Sequence, residues 1–256
     1  MTRVALVDGD IVAFRCAASC KGEDPSSLAN FRADQLIRDV IQATQAELVE
    51  VFLSGTRNFR YELFPDYKAN RRESVDPIYR QSCKEYLITN WFASVSDGIE
   101  ADDAIGIAHT TLTSVNNTPI ICSIDKDFKQ LSGEFYDFVK EEFFTVDPLE
   151  AQRYFYKQLL LGDRSDNIPG YDGKARQKPT KQIQAWYSMI DESDSESEMY
   201  AICWDAFHSA STSLDEATYR LHLTAQLCYI LRKENHYWTM PVLDSHVQER
   251  IYEFSP

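Results

Sequence analysis

The chain has 256 residues, 44% of them hydrophobic, enough to bury a sizeable core as one large or two small domains. A formal net charge of −14 excludes a generally basic coat for nucleic acid. It does not exclude a local binding face, because the field beside a site outweighs the total charge. Six scattered cysteines (Cys16, Cys20, Cys83, Cys122, Cys203, Cys228) show no CxxC and no zinc spacing to histidine, and read as reduced core thiols. With no signal segment and no apolar run of membrane-spanning length, the expectation is a soluble cytoplasmic protein that makes no use of a membrane.

In chain order, Arg3-Val4-Ala5-Leu6-Val7 is a β-rich run that ends in Asp8-Gly9-Asp10. The aspartate at its tip suits a metal ligand, and equally an Asx turn with Gly9 in an unusual backbone conformation. A helix is expected from Ile11 to Ala18, a longer amphipathic one from about Leu28 to Gln45, and a second strand over Glu47–Ser54. From Arg57 to Arg72 the charge reverses locally. Arg57, Arg60, Lys68, Arg71 and Arg72 interleave with Phe59, Tyr61, Phe64 and Tyr67. Cations neutralise phosphates and aromatic rings stack on unpaired bases, so the mixture suits single-stranded nucleic acid. The alternative is a solvated helix whose aromatics belong to the core.

Carboxylates then gather. Gly98-Ile99-Glu100-Ala101-Asp102-Asp103 places Glu100 and Asp103 on one face of a helix that begins near Ile99, with Asp102 turned partly aside. Pro119-Ile120-Ile121-Cys122 reads as a buried strand, and Asp125 and Asp127 follow at its C-terminal end, where open α/β sheets place their ligands. Like charges packed together raise one another's pKa and cost stability unless a cation lies between them. The chemistry expected is a carboxylate cage for Mg²⁺ or Mn²⁺. Further on, Asp191–Glu198 is an acidic, serine-rich run expected to be a solvated loop away from any nucleic acid. Met199–Phe207 and Leu214–Leu231 have helical periodicity, and His208, His222 and His236 have no ligand pattern.

Asp8-Gly9, Asn58-Phe59-Arg60, Tyr67-Lys68-Ala69-Asn70-Arg71, Glu100-Ala101-Asp102-Asp103, Asp125-Lys126-Asp127 and Gly162-Asp163-Arg164-Ser165-Asp166-Asn167-Ile168-Pro169-Gly170 occur in the order seen in the 5′-nuclease family. Over residues 3 to 185 the chain resembles the flap endonucleases and 5′–3′ exonucleases, most of all the phage branch. The resemblance implies a PIN-like α/β fold with a central, mostly parallel sheet flanked by helices, a helical arch at about 64–91 and a helix-turn-helix-type DNA-binding element. Residues 1–160 would form the nuclease core, and 161–256 the DNA-binding element and a helical extension of the same domain. The implied activity is metal-dependent hydrolysis of phosphodiester bonds at 5′ ends of DNA, or of RNA primers in hybrids, in phage replication or recombination. For a phage-encoded protein the setting would be the host cytoplasm.

By the same resemblance Asp8, Glu100, Asp102, Asp103, Asp125, Asp127 and Asp166, with Asp163 beside them, hold two Mg²⁺ or Mn²⁺ ions roughly 4 Å apart. Asp10 would act from behind them, holding a ligand or a bound water. Lys68 and Arg71 would reach the scissile phosphate and act with Asp8 in catalysis. Arg60 would steady the entry of that phosphate, Tyr67 would either stack on a base or pack beneath the arch, and Arg72 is counted with them as DNA-binding. Ser165, Gly170, Gly173, Lys174, Lys178 and Lys181 would meet duplex DNA, and carbonyls at Ser165 and Ile168 would hold a K⁺. The expected partners are DNA with 5′ ends, flaps and single-strand/duplex junctions, together with replication proteins, and the chain is expected to be a monomer.

The chain departs from the family twice. Leu53-Ser54-Gly55-Thr56 lacks the aspartate that members carry before the Phe-Arg pair, so Asp8 carries more of the task, or Ser54 and Thr56 orient bound water. After Pro169-Gly170 one glycine of the usual hairpin is Ala175, and Pro179 interrupts it. Two other functions fit the acids: a PIN-type endoribonuclease, which lacks the Tyr67–Arg72 and Gly162–Gly170 segments, and a non-catalytic structure-specific DNA-binding protein.

Overall fold

The computed structural model describes residues 1–71 and 75–252. The chain divides into two compact units. The first comprises Met1–Phe59, Val75–Asp147 and Ile230–His236, and the second Arg60–Ser74, Pro148–Tyr229 and Tyr237–Pro256.

The chain runs through β1 (Arg3–Asp8), α1 (Gly9–Ala18), α2 (Ser26–Thr44) and β2 (Leu48–Asn58) into the short helix α3 (Phe59–Leu63). It continues with α4 (Arg80–Trp91), β3 (Ser94–Gly98), α5 (Ala101–Ser114), β4 (Thr118–Cys122), β5 (Gly133–Asp137) and β6 (Glu142–Val146). In the first unit the six strands form one sheet in the order β3-β2-β1-β4-β5-β6. All neighbours are parallel except β5 and β6. Helical crossovers cover both faces, so the inner strands are apolar on both sides. In β1, Ala5 and Val7 pack with α1, α2 and α4, while Val4 and Leu6 pack with Ala101 and Ile105 of α5. α2 buries Ala29, Ala33, Ile37, Val40 and Thr44, the three-to-four-residue rhythm of an amphipathic helix.

β2 runs past the expected end at Ser54, because it stays paired to β3 through an irregularity between Ser54 and Asn58. The sheet's topology also fixes where a ligand belongs. Strands are added on one side of β1 as far as β3, and then β4 is laid on the other side. The crevice at the carboxyl ends of β1 and β4 is therefore the switch point at which such sheets bind their ligands.

The second unit is helical: α6 (Pro148–Leu161), the small hairpin of β7 (Gly162–Asp163) and β8 (Ile168–Pro169), then α7 (Lys181–Glu192), α8 (Glu196–Ser209), α9 (Leu214–Cys228) and α10 (Ser245–Tyr252). Trp204, Tyr200, Phe207, Tyr156 and Leu221 form its core. The acidic run Asp191–Glu198, expected as a loop, instead ends α7 and begins α8. Ser195 caps α8 by accepting the Glu198 N–H, and the acids Glu196 and Glu198 lie in its first turn, where the helix dipole favours negative charge. No described helix is long and apolar enough to cross a membrane.

Candidate active site

In the first unit the acids sit at the strand ends that the topology singles out. Asp8 closes β1 and caps α1: the Ile11 N–H donates to its Oδ1 at 3.1 Å, and the Ser123 hydroxyl donates to its Oδ2 at 2.9 Å. The side chain is only 2% exposed. Gly9 beside it is required by crowding, since a Cβ there would stand 2.7 Å from the Phe52 carbonyl oxygen. Burial pushes the Asp8 carboxyl up to about 7, with the negative charges of Asp10 and Asp125 adding to the shift. The Ile11 and Ser123 donors oppose it.

Ser123, just past β4, also accepts the Asp125 N–H at 3.0 Å. Asp125 in turn caps a 3₁₀ turn over Lys126–Gln130 by accepting the Asp127 N–H at 2.9 Å. Asp127 pairs with its exposed neighbour Lys126 at 2.9 Å. On the other side of the crevice, Glu100 begins α5 in a capping box with Asp103, whose Oδ2 accepts the Glu100 N–H at 3.1 Å. Asp102 follows in the first turn, half-buried. Asp103 is different. It is fully buried, and its Oδ1 accepts the Leu231 N–H at 3.0 Å. Expected as a metal ligand, it has both carboxylate oxygens engaged by backbone donors.

Asp10 extends this group. Its Oδ2 accepts the Ser54 N–H at 2.8 Å, and Lys84 of α4 lies 2.5 Å from its Oδ1. The Ser54 hydroxyl accepts the Ala101 N–H at 2.9 Å, which ties β2 to the start of α5, while Thr56 is exposed. Sequence reasoning missed Lys84, Ser123 and Gln130. Ser123 carried a signal, the position just before Ile124-Asp125, whereas nothing local marks the other two.

The all-oxygen donor set is the kind that Mg²⁺ and Mn²⁺ take. The raised Asp8 carboxyl is what a divalent cation would relieve. In chemistry and charge the residues fit such an ion. Among the described residues no group of three or more His, Cys, Asp or Glu is drawn together closely enough to hold one as it stands. Several of the oxygens are occupied by the backbone donors named above.

The second unit has its own cluster, at the β7–β8 turn. Asp163 is buried and organises the turn, its Oδ1 accepting the Ser165 N–H at 2.6 Å and the Asp166 N–H at 3.2 Å. Asp166 gathers the cations of the Tyr67–Arg71 segment. Lys68 Nζ lies 3.5 Å from it, the Arg71 guanidinium pairs with its Oδ1, and the Tyr67 hydroxyl donates to its Oδ2 at 3.1 Å. Arg71 Nε also donates to the Ser165 carbonyl at 3.0 Å.

Two residues of the expected DNA-binding group are buried. Arg60 is 3% exposed, and its guanidinium donates to the carbonyls of Leu227 at 2.9 Å and Tyr229 at 2.7 Å. It is a buried structural cation. Tyr67 is 1% exposed and packs in the helical core, edge-on to Tyr61. Arg72 lies outside the described residues. Gly170 is buried, its N–H donating to the Lys174 carbonyl, and Gly173 takes a positive φ of 79°. Lys174, Lys178 and Lys181 are exposed along the segment that leads into α7, where Thr180 is the N-cap. Arg176 is held back by Asp172.

The model of the 5′-3′ exonuclease N-terminal resolvase-like domain matches residues 3–158. The chain is 25% identical over 203 residues to the flap endonuclease Xni of Shewanella halifaxensis, covering 75% of this chain and 81% of that protein. The crystal structure of the T5 D15 protein co-crystallised with metal ions superposes with a TM-score of 0.64 at 18% identity, over 88% of this chain and 91% of that one. A bacteriophage T5 D15 flap endonuclease variant in a pseudo-enzyme-product complex with DNA and metal ions gives 0.56 at 18% identity, over 87% and 99%. With the carboxylates at the switch point of a mostly parallel sheet and the family model spanning more than half of the sequence, the chain belongs to the 5′–3′ exonuclease family.

Proposed function

We propose that the chain is a divalent-metal-dependent 5′-nuclease that hydrolyses phosphodiester bonds at 5′ ends and flaps of DNA, and of RNA primers in hybrids. The observation that carries this reading is Asp8, buried at the switch point beside Asp10 and Asp125 with its carboxyl raised to about 7. A fold tolerates such a charge where a cation is to be held.

Asp8, Glu100, Asp102, Asp125 and Asp127 are the proposed ligands in the first unit. Asp103, expected with them, is proposed instead to hold the start of α5, since its oxygens accept the Glu100 and Leu231 N–H groups. Bound Mg²⁺ or Mn²⁺, two ions in the proposal, would activate water and stabilise the leaving oxygen. Asp8 holds its oxygens in place through Ile11 and Ser123, so the site keeps its geometry without rearranging β1. In the second unit Asp163 and Asp166 are proposed to take part in cation binding. Lys68 and Arg71 are proposed to contact the phosphodiester, where a cation offsets charge developing on the oxygens. Lys174, Lys178 and Lys181 are proposed to grip the duplex backbone. A K⁺ at the Ser165 and Ile168 carbonyls completes the proposal, with Ser165 already accepting from Arg71.

The T5 complex with DNA and metal ions supports DNA as the substrate. Because the Xni relative is bacterial, the activity is not tied to a phage. A monomeric cytoplasmic enzyme acting beside replication proteins is the proposed setting. The test is a 5′-flap duplex and a blunt duplex incubated with Mg²⁺, Mn²⁺ or EDTA, alongside Asp125→Asn. Products released from the 5′ end, absent in EDTA and in the variant, are expected. Flap binding without cleavage under any metal would overturn catalysis and leave a structure-specific DNA-binding protein. Cleavage of RNA with no dependence on a 5′ end would point to the endoribonuclease.

A further inference from the structure

The first unit includes a short segment, Ile230–His236, far in sequence from the rest of it. Ile230 is buried in the core that holds Ala101 and Ile105 of α5 with Phe128 of the 3₁₀ turn, and Leu231 beside it is buried as well. The Ile230 N–H donates to Gln130 Oε1 at 2.8 Å, and Arg232 Nη2 donates to the Gln130 carbonyl at 2.7 Å. Between these two, the Leu231 N–H donates to Asp103 at 3.0 Å. One strap thus holds the end of the turn that carries Asp125 and Asp127 and the start of the helix that carries Glu100 and Asp102. Gln130 is fully buried, and an uncharged side chain there has no acid chemistry to contribute. Gly106, one turn along α5 from Asp103, lets the strap lie against the helix, since a Cβ there would stand 2.4 Å from the Leu231 carbonyl oxygen.

These contacts close a ring. Asp8 joins Ser123, Ser123 joins Asp125, and the turn leads to Gln130. The strap passes from Gln130 to Asp103 and the start of α5; the Ala101 N–H then reaches Ser54, and the Ser54 N–H reaches Asp10 beside Asp8. Every link but the strap is made by elements that the sheet already orders. The strap adds hydrogen bonds from the turn and from α5 to one segment, beside the apolar cluster in which Phe128 and Leu131 lie with Ala101 and Ile105.

We propose that Ile230–Arg232 is a clasp that sets the spacing of the two carboxylate-bearing elements, with Gln130 and Asp103 as its positioning residues. This rests on the metal-dependent reading given above. Asp103 then works through Glu100 and Asp102 by fixing the first turn of α5, and Gln130 works through Asp125 and Asp127.

The experiment is a calorimetric Mn²⁺ titration of the full chain without DNA, on the wild type, Gln130→Met, Arg232→Met and the control Leu221→Ala. Gln130→Met keeps the side-chain volume and removes the acceptor for Ile230. Its Mn²⁺ affinity is expected to fall about tenfold, the lower end of what loss of a ligand-orienting partner costs. Arg232→Met removes one outer link and should shift affinity in the same direction by less. Leu221→Ala opens the helical core of the second unit, so it lowers thermal stability and should leave Mn²⁺ affinity unchanged. Wild-type affinity in both clasp variants would overturn the clasp and leave the strap a packing element. If Gln130→Met does not fold, Arg232→Met decides alone. No Mn²⁺ binding by the wild type would overturn the metal reading itself, a result distinct from failure of the clasp.

Discussion

The two acid clusters of this chain are balanced in opposite ways. Around Asp8 the negative charge is met by hydrogen-bond donors and by burial. Lys84 reaches Asp10, and the buried Asp8 carboxyl remains shifted to about 7. At the β7–β8 turn Asp166 is met by Lys68 and Arg71 and organised by a tyrosine hydroxyl. Neutral donors orient a carboxylate without cancelling its charge, whereas a lysine and an arginine cancel it. On the proposed reading, Asp8 in the first cluster therefore stores a demand for a cation. The second is largely satisfied by the chain's own cations, and a ligand there has to compete with them.

The sharpest way to break this contrast is Asp8→Asn. Cleavage should fall by a hundredfold or more, since the strand-tip oxygen loses its charge while the cap to Ile11 can persist. The metal-free protein should nevertheless become more stable at pH 8, by up to on the order of 4 kcal/mol, which a shift of this size represents. Urea unfolding in EDTA measures it, and a less stable variant would refute the idea of a stored charge demand.

The pH dependence sharpens the same point. The folded Asp8 carboxyl binds a proton more tightly than the unfolded one, so its contribution to stability is lost as pH rises from about 4 to about 7. Mg²⁺ should remove that loss. Burial, with Arg232 nearby, lowers His109 to about 4, and this has the opposite sign: its contribution is lost as pH falls from about 6.5 to about 4. The two slopes oppose each other in the wild type. In Asp8→Asn the largest opposing contribution is gone. Burial also lowers His222, which adds to the His109 slope, while burial raises Asp205 against it. Unfolding free energy should climb more steeply with pH through this window than in the wild type. A flat profile would contradict it.

Arg60→Met tests the second unit. It leaves the Leu227 and Tyr229 carbonyls without the buried guanidinium and should cost about 3 kcal/mol in unfolding free energy. Flap affinity of the folded variant should remain unchanged, and a large loss of affinity at unchanged stability would restore Arg60 to the DNA interface. The smallest effects belong to the surface lysines. Lys174→Ala, Lys178→Ala and Lys181→Ala should each weaken duplex binding modestly and reduce the salt slope by about one. Fluorescence anisotropy over a salt series reads both.

What the sequence by itself determined is what short-range pattern can carry. The apolar run before Asp8, the run before Asp125 and the acidic helix start at Glu100 each appear as read, because strand and helix periods and capping preferences act over a few residues. The order of motifs sufficed for the family. Tertiary structure alone decided what the polar side chains do. Tyr67 and Arg60 sit in a basic, aromatic stretch that suits nucleic acid, yet a helical core from distant sequence buries both. Gln130 and Asp103 meet their partners across separations of 100 and 128 residues, and no local signal marks such pairs. A buried polar group takes the partner the fold brings to it, because leaving it unpaired costs more than any local preference.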